Sequence, residues 1–78
     1  MTLETYMEIY EKAPAEKLID LMRDEAYYIS CDARSAGWYA AVHNEECRVY
    51  SANEVEHHKK RFAWLADTLQ KRLEDLRR

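Results

Sequence analysis

Residues 26–51 read AYYISCDARSAGWYAAVHNEECRVYS, and the reading of this stretch decides the fold. From Tyr27 the residues alternate: Tyr27, Ile29 and Cys31 fall on one side, Tyr28, Ser30 and Asp32 on the other, the period of a half-buried strand. Arg34-Ser35-Ala36-Gly37 supplies a turn, with the single glycine of the chain free to take a positive φ. Trp38, Ala40 and Val42 then alternate with Tyr39, Ala41 and His43, and His43-Asn44-Glu45-Glu46 makes a second turn. Cys47, Val49 and Ser51 alternate in their turn with Arg48 and Tyr50. The pattern predicts a three-stranded antiparallel meander with Ile29, Cys31, Trp38, Ala40, Val42, Cys47 and Val49 on its core face. Tyr28, Ser30, Asp32, Tyr39, Arg48 and Tyr50 are left on the other face.

Helical spacing flanks this stretch on both sides. Thr2 can cap a first helix over about residues 2–12, in which Leu3, Tyr6, Met7 and Tyr10 recur at the 3.6-residue period. Pro14 removes a backbone donor and disfavours a helical Ala13, so a second helix begins there and runs to about residue 25. Its apolar side is Ala15, Leu18, Ile19, Met22 and Ala26. Ser51-Ala52-Asn53-Glu54 matches a capping box and predicts a last helix over about residues 52–76. Val55, His58, Phe62, Leu65, Ala66, Leu69, Leu73 and Leu76 form its stripe. The expected fold is therefore α+β, two short helices, a meander and a long helix, with the helices on one sheet face and one domain over residues 1–78.

Composition narrows the function classes. With 47% hydrophobic and 35% charged residues the chain is built to fold, and with one Gly and one Pro it is built from long regular elements. A net charge of −3 disfavours a general nucleic-acid binder. The charge is uneven: residues 1–25 hold seven acids and three bases, residues 54–78 five acids and seven bases. No apolar run has the length of a membrane span, and the acidic N-terminus lacks the basic and apolar regions of a signal peptide, so a cytoplasmic protein is expected. Two cysteines in that setting are expected to be free thiols.

No spacing of a catalytic motif or phosphate loop occurs, so neither an enzyme nor a cofactor is expected. Cys31, His43, Cys47, His57 and His58 lack the pair spacings of zinc sites, so no metal is expected from them. Three surfaces remain for binding protein. Glu4, Glu8 and Glu11, continued by Asp20 and Asp24, form an acidic ridge suited to a basic groove. Tyr28, Tyr39 and Tyr50 with Asp32 and Arg48 form an aromatic platform. Trp64 lies opposite the apolar stripe among His57, Lys60 and Lys71, where a surface helix has no structural need for a tryptophan. The Leu69, Leu73 and Leu76 end of the long helix overhangs any short strand and predicts a contact with a second copy.

Two resemblances bear on the reading. The order helix, three strands, helix, with His57-His58-Lys59-Lys60-Arg61 opening the last helix, resembles double-stranded-RNA-binding domains, which place a lysine cluster there. It implies an RNA-binding module using Lys59, Lys60, Arg61 and Trp64. The acidic first helix, acidic second turn and extra N-terminal helix depart from that family and rank RNA binding below protein binding. In size, acidity and compact α+β build the chain resembles anti-CRISPR proteins of phages and mobile elements. That resemblance implies a non-enzymatic inhibitor that sterically blocks a larger nucleic-acid-handling complex in the host cytoplasm.

Overall fold

The computed structural model describes residues 1–77, and they form three helices: α1 (Leu3–Tyr10), α2 (Ala15–Ala41) and α3 (Glu45–Leu76). Among the described residues there is no strand. The expected meander of residues 26–51 is thereby overturned, and the fold is all-α rather than α+β. Helix α2 continues sixteen residues beyond the boundary expected near residue 25. Gly37 lies inside it without a positive φ. The capping box is overturned too: Ser51 sits within α3, buried, six residues past the start of that helix. The helix begins instead at Asn44, whose side chain accepts a hydrogen bond from the Cys47 amide at 3.2 Å, with Glu45 and Glu46 in the first turn facing the positive end of the helix dipole.

Only the second expected turn is a turn. At residues 42–44 the His43 amide bonds the Ala40 carbonyl and the Asn44 amide bonds the Tyr39 carbonyl, which closes the end of α2. His43 takes the left-handed conformation, φ 59°, that such an ending needs and that glycine usually fills. The connection is short, so α2 and α3 return on each other as an antiparallel hairpin. The molecule measures 53 × 20 × 15 Å, the proportions of two long helices side by side.

The core sits at one end of the hairpin. Tyr6, Leu18, Leu21 and Leu65 are its buried hydrophobic residues, with Tyr10, Ala13, Met22 and Trp64 packed around them. Helix α1 is eight residues, too short to be stable alone, and it is held by that core and by two arginines of α3. Thr2 caps it, accepting from the Thr5 amide. Arg72 donates to the Ala13 and Glu11 carbonyls, and Arg61 donates to the Met1 carbonyl at 3.0 Å. The residues expected on a core sheet face are not in the core: Trp38, Val42 and Val49 are exposed, and Ile29, Cys31 and Cys47 are half-buried. Both cysteines are free thiols.

The Tyr6 hydroxyl is buried without a hydrogen-bond partner. Burial, and after it the Glu25 carboxylate, push its phenol far above the ordinary 10.0. An unsatisfied buried hydroxyl costs stability that its removal can return. Tyr6→Phe is therefore expected to leave stability unchanged or raise it by up to ~1 kcal/mol, read as a midpoint shift in urea unfolding. A clear loss would mean that the hydroxyl has a partner in solution.

Among the described residues no helix is long and apolar enough to cross a membrane. The helix, three strands, helix order behind the likeness to double-stranded-RNA-binding domains is absent from them as well.

Candidate functional site

The seam between α2 and α3 has coiled-coil spacing but not coiled-coil chemistry. On α2 the seam positions are Leu18, Leu21, Glu25, Tyr28, Asp32, Ser35 and Tyr39, alternately three and four residues apart. On α3 they are Cys47, Ser51, Glu54, His58, Arg61, Leu65 and Thr68. Only the leucines at one end are apolar in the usual way. The middle of the seam is charged.

His58 is the centre of this charged stretch. Its Nδ1 contacts the Glu25 carboxylate, and its Nε2 lies 3.6 Å from Asp32 Oδ2 and 3.9 Å from Glu54 Oε2. The Glu25 side chain is 5% exposed, and its other oxygen lies 3.9 Å from the Arg61 guanidinium. Arg61 in turn sits over the Tyr6 ring, 5.0 Å from its centroid. The Tyr28 ring covers the imidazole at 5.1 Å between centroids. A carboxylate buried this deeply is tolerated because both of its oxygens face cationic or N–H groups. Glu54 and His58 stand one helical turn apart on α3, and Asp32 faces them from α2 one heptad beyond Glu25.

Towards the turn the hairpin opens. An open groove of about 430 Å³ is lined by Asp32, Ser35, Tyr39, Glu46, Cys47, Tyr50 and Ser51. Asp32, Tyr39 and Tyr50, expected together on a sheet face, thus do meet, but across two helices. Tyr28 is placed one step further in, on His58.

The other expected site residues are scattered. Glu4, Glu8 and Glu11 are exposed on α1, and Asp20 and Asp24 are exposed on α2. Trp64 is half-buried, packed edge-on to Tyr6 at 6.1 Å between centroids, as part of the layer under α1. Lys60 and Lys71 are exposed, and Lys71 pairs with Asp67 at 3.0 Å. Leu69 is half-buried, and Leu73 and Leu76 are exposed. In the sequence Glu25 reads as an ordinary helix acid and Glu54 as the last residue of a capping box, so neither stands out as a site residue. The signal that marks them is the seven-residue step from Glu25 to Asp32, matched by Glu54 and His58 at seam spacing on α3.

Comparison with protein-family models, with curated proteins and with solved structures finds no match to this chain.

Proposed function

We propose that the chain is a non-enzymatic protein-binding module that pairs with a second copy of itself, hairpin against hairpin. The observation that supports this reading is an apolar face one position round from the seam on both long helices. On α2 it comprises Met22, Ala26, Ile29, Ala33, Ala36 and Ala40; on α3 it comprises Ala52, Val55, Phe62, Ala66, Leu69, Leu73 and Leu76, interrupted by Lys59, which pairs with Glu56 at 3.6 Å, and ending at Arg48. In an antiparallel hairpin, residues that follow the seam on each helix lie on the same side. Helix α1 packs on Trp64, which precedes the seam residue Leu65, so it covers the opposite side. The apolar face is left half-buried or exposed along its length.

Two features favour a second copy as the occupant. The alanines of α2 are the small complement of the large side chains of α3, so two copies related by a two-fold axis set small against large twice over. The molecule is 53 Å long and 20 Å across, so one side of the hairpin has room for the ~800 Å² per partner that a standard interface buries. Leu73 is exposed and Leu69 is outside the buried core, so charges placed there should spare the monomer. Leu69→Glu with Leu73→Glu is expected to weaken self-association at least ~100-fold, the loss of two anchors of ~1.5 kcal/mol or more each, while circular dichroism stays helical. Sedimentation reads this directly. A strict monomer at the highest soluble concentration of the unaltered chain overturns the proposal.

A second reading concerns the other side. Glu4, Glu8, Glu11, Asp20 and Asp24 are all exposed, and by register Asp20 and Asp24 share the α1 side of the hairpin. A pair joined through its apolar faces would display two such acidic sides outward. This suits the expected inhibitor that occupies the basic groove of a nucleic-acid-handling complex. Reversing Glu4, Glu8 and Glu11 without losing retention on such a complex would remove this reading.

A further inference from the structure

We propose that Asp32, Glu54 and His58 form a binding site for one zinc ion, with Glu25 orienting His58 from behind. Each of these residues offers a ligand atom, and the three atoms lie within 4.8 Å of one another. They are supplied by facing helices of a hairpin, the usual way in which a helical bundle builds a metal site in its interior.

The orientation of His58 is the independent observation. A neutral imidazole has one N–H. In the tautomer with its hydrogen on Nδ1, His58 donates to the buried Glu25 carboxylate and turns its Nε2 lone pair towards Asp32 and Glu54. A carboxylate behind a histidine whose far nitrogen faces open ligands is the arrangement that fixes tautomer and raises ligand basicity at zinc centres. Arg61 lies 3.9 Å from the second Glu25 oxygen and compensates part of the charge of Glu25. Three electron-pair donors with two negative charges then face each other in a part-buried space. A divalent cation balances that charge.

Distances and donors select the ion. Zinc takes nitrogen and carboxylate ligands at about 2.0–2.2 Å, which sets neighbouring ligand atoms in a tetrahedron roughly 3.3 Å apart. The separations from Nε2, 3.6 and 3.9 Å, are near that value. Asp32 and Glu54 are 30% and 35% exposed at the side chain, so they are free to close the remaining gap. Calcium and magnesium prefer all-oxygen shells and would leave Nε2 unused. Three protein ligands leave a fourth zinc position, and Asp32 also lines the groove with Ser35, Tyr39 and Ser51.

The site does not depend on self-association, and the test separates the two. Titrating zinc into the full-length chain by calorimetry is expected to show one equivalent bound per chain. Asp32→Asn and Glu54→Gln, at part-exposed positions that the fold tolerates, are each expected to weaken binding at least ~10-fold, and Glu25→Gln ~10- to 100-fold. His43→Asn with His57→Asn is expected to leave it unchanged. The ¹⁵N resonance of His58 Nε2 is expected to move to the metal-bound position, and the thermal midpoint to rise with zinc concentration. Absence of binding overturns the proposal. So does binding that is indifferent to Asp32→Asn and Glu54→Gln, which is adventitious surface zinc. A proton that stays on Nε2 in excess zinc overturns it as well, since the balancing cation is then the proton.

Discussion

Leu65→Ala is expected to lower stability by about 3 kcal/mol, within the ~2–5 kcal/mol that such truncations cost in a closed core. Leu65 and Leu18 are the two large side chains with no exposed surface, and Leu65 is where α1, α2 and α3 converge. Ordinary domains have only about 5–15 kcal/mol in total, and small ones bury the least. With four buried hydrophobic residues among those described, the chain belongs at the low end, so one cavity removes a large share of its stability. The first element to be released is α1, because Tyr6 loses its floor and an eight-residue helix does not persist alone. Limited proteolysis at Lys12, between α1 and α2, should therefore accelerate in Leu65→Ala together with the fall in urea midpoint. Lys60→Ala is the control: Lys60 is exposed on α3, and its loss should change stability by less than ~0.5 kcal/mol. Equal behaviour of the two variants would mean that the core does not lie under α1.

The same small core explains what the sequence could and could not reveal. Thr2, Pro14 and the stripe from Val55 to Leu76 act through local backbone chemistry and apolar period, and the helices they mark are present. The stretch from Tyr27 to Tyr50 misleads because its seam is polar. A helix is recognised by apolar residues three and four apart, yet the inward positions of α2 hold Glu25, Asp32 and Ser35. With these hidden, Tyr27, Ile29 and Cys31 stand out two apart and imitate a strand. The breakers mislead in the same direction. The lone glycine occupies a helix interior, and the left-handed position that ends α2 is held by His43. Trp38 near the turn is expected in the core and is exposed, and only the pairing of the two helices brings Asp32, Tyr39 and Tyr50 to one groove. The Glu25, Asp32, Glu54 and His58 group spans thirty-three residues of sequence and two helices, so no local spacing announces it.

Removing Glu25, the deeply buried member of that group, should be as costly as emptying the core. Glu25→Ala leaves His58 and Arg61 part-buried without their carboxylate, and breaking a buried pair from one side costs about 3–5 kcal/mol. Replacing both partners has the opposite expectation. In Glu25→Leu with His58→Leu no charge of the pair remains, the seam gains two leucines in line with Leu18, Leu21 and Leu65, and Arg61 keeps its bond to the Met1 carbonyl and its place over Tyr6. Replacing both partners of a buried hydrogen-bonded pair by apolar groups is often near neutral or stabilising. Urea unfolding of the wild type, both single Leu variants and the double variant gives the coupling energy. The expected result is a double variant at least as stable as the wild type that no longer binds zinc. That outcome would place the charged seam among features kept for binding at the expense of packing. A double variant as unstable as Glu25→Ala would instead make the group part of what holds the hairpin together.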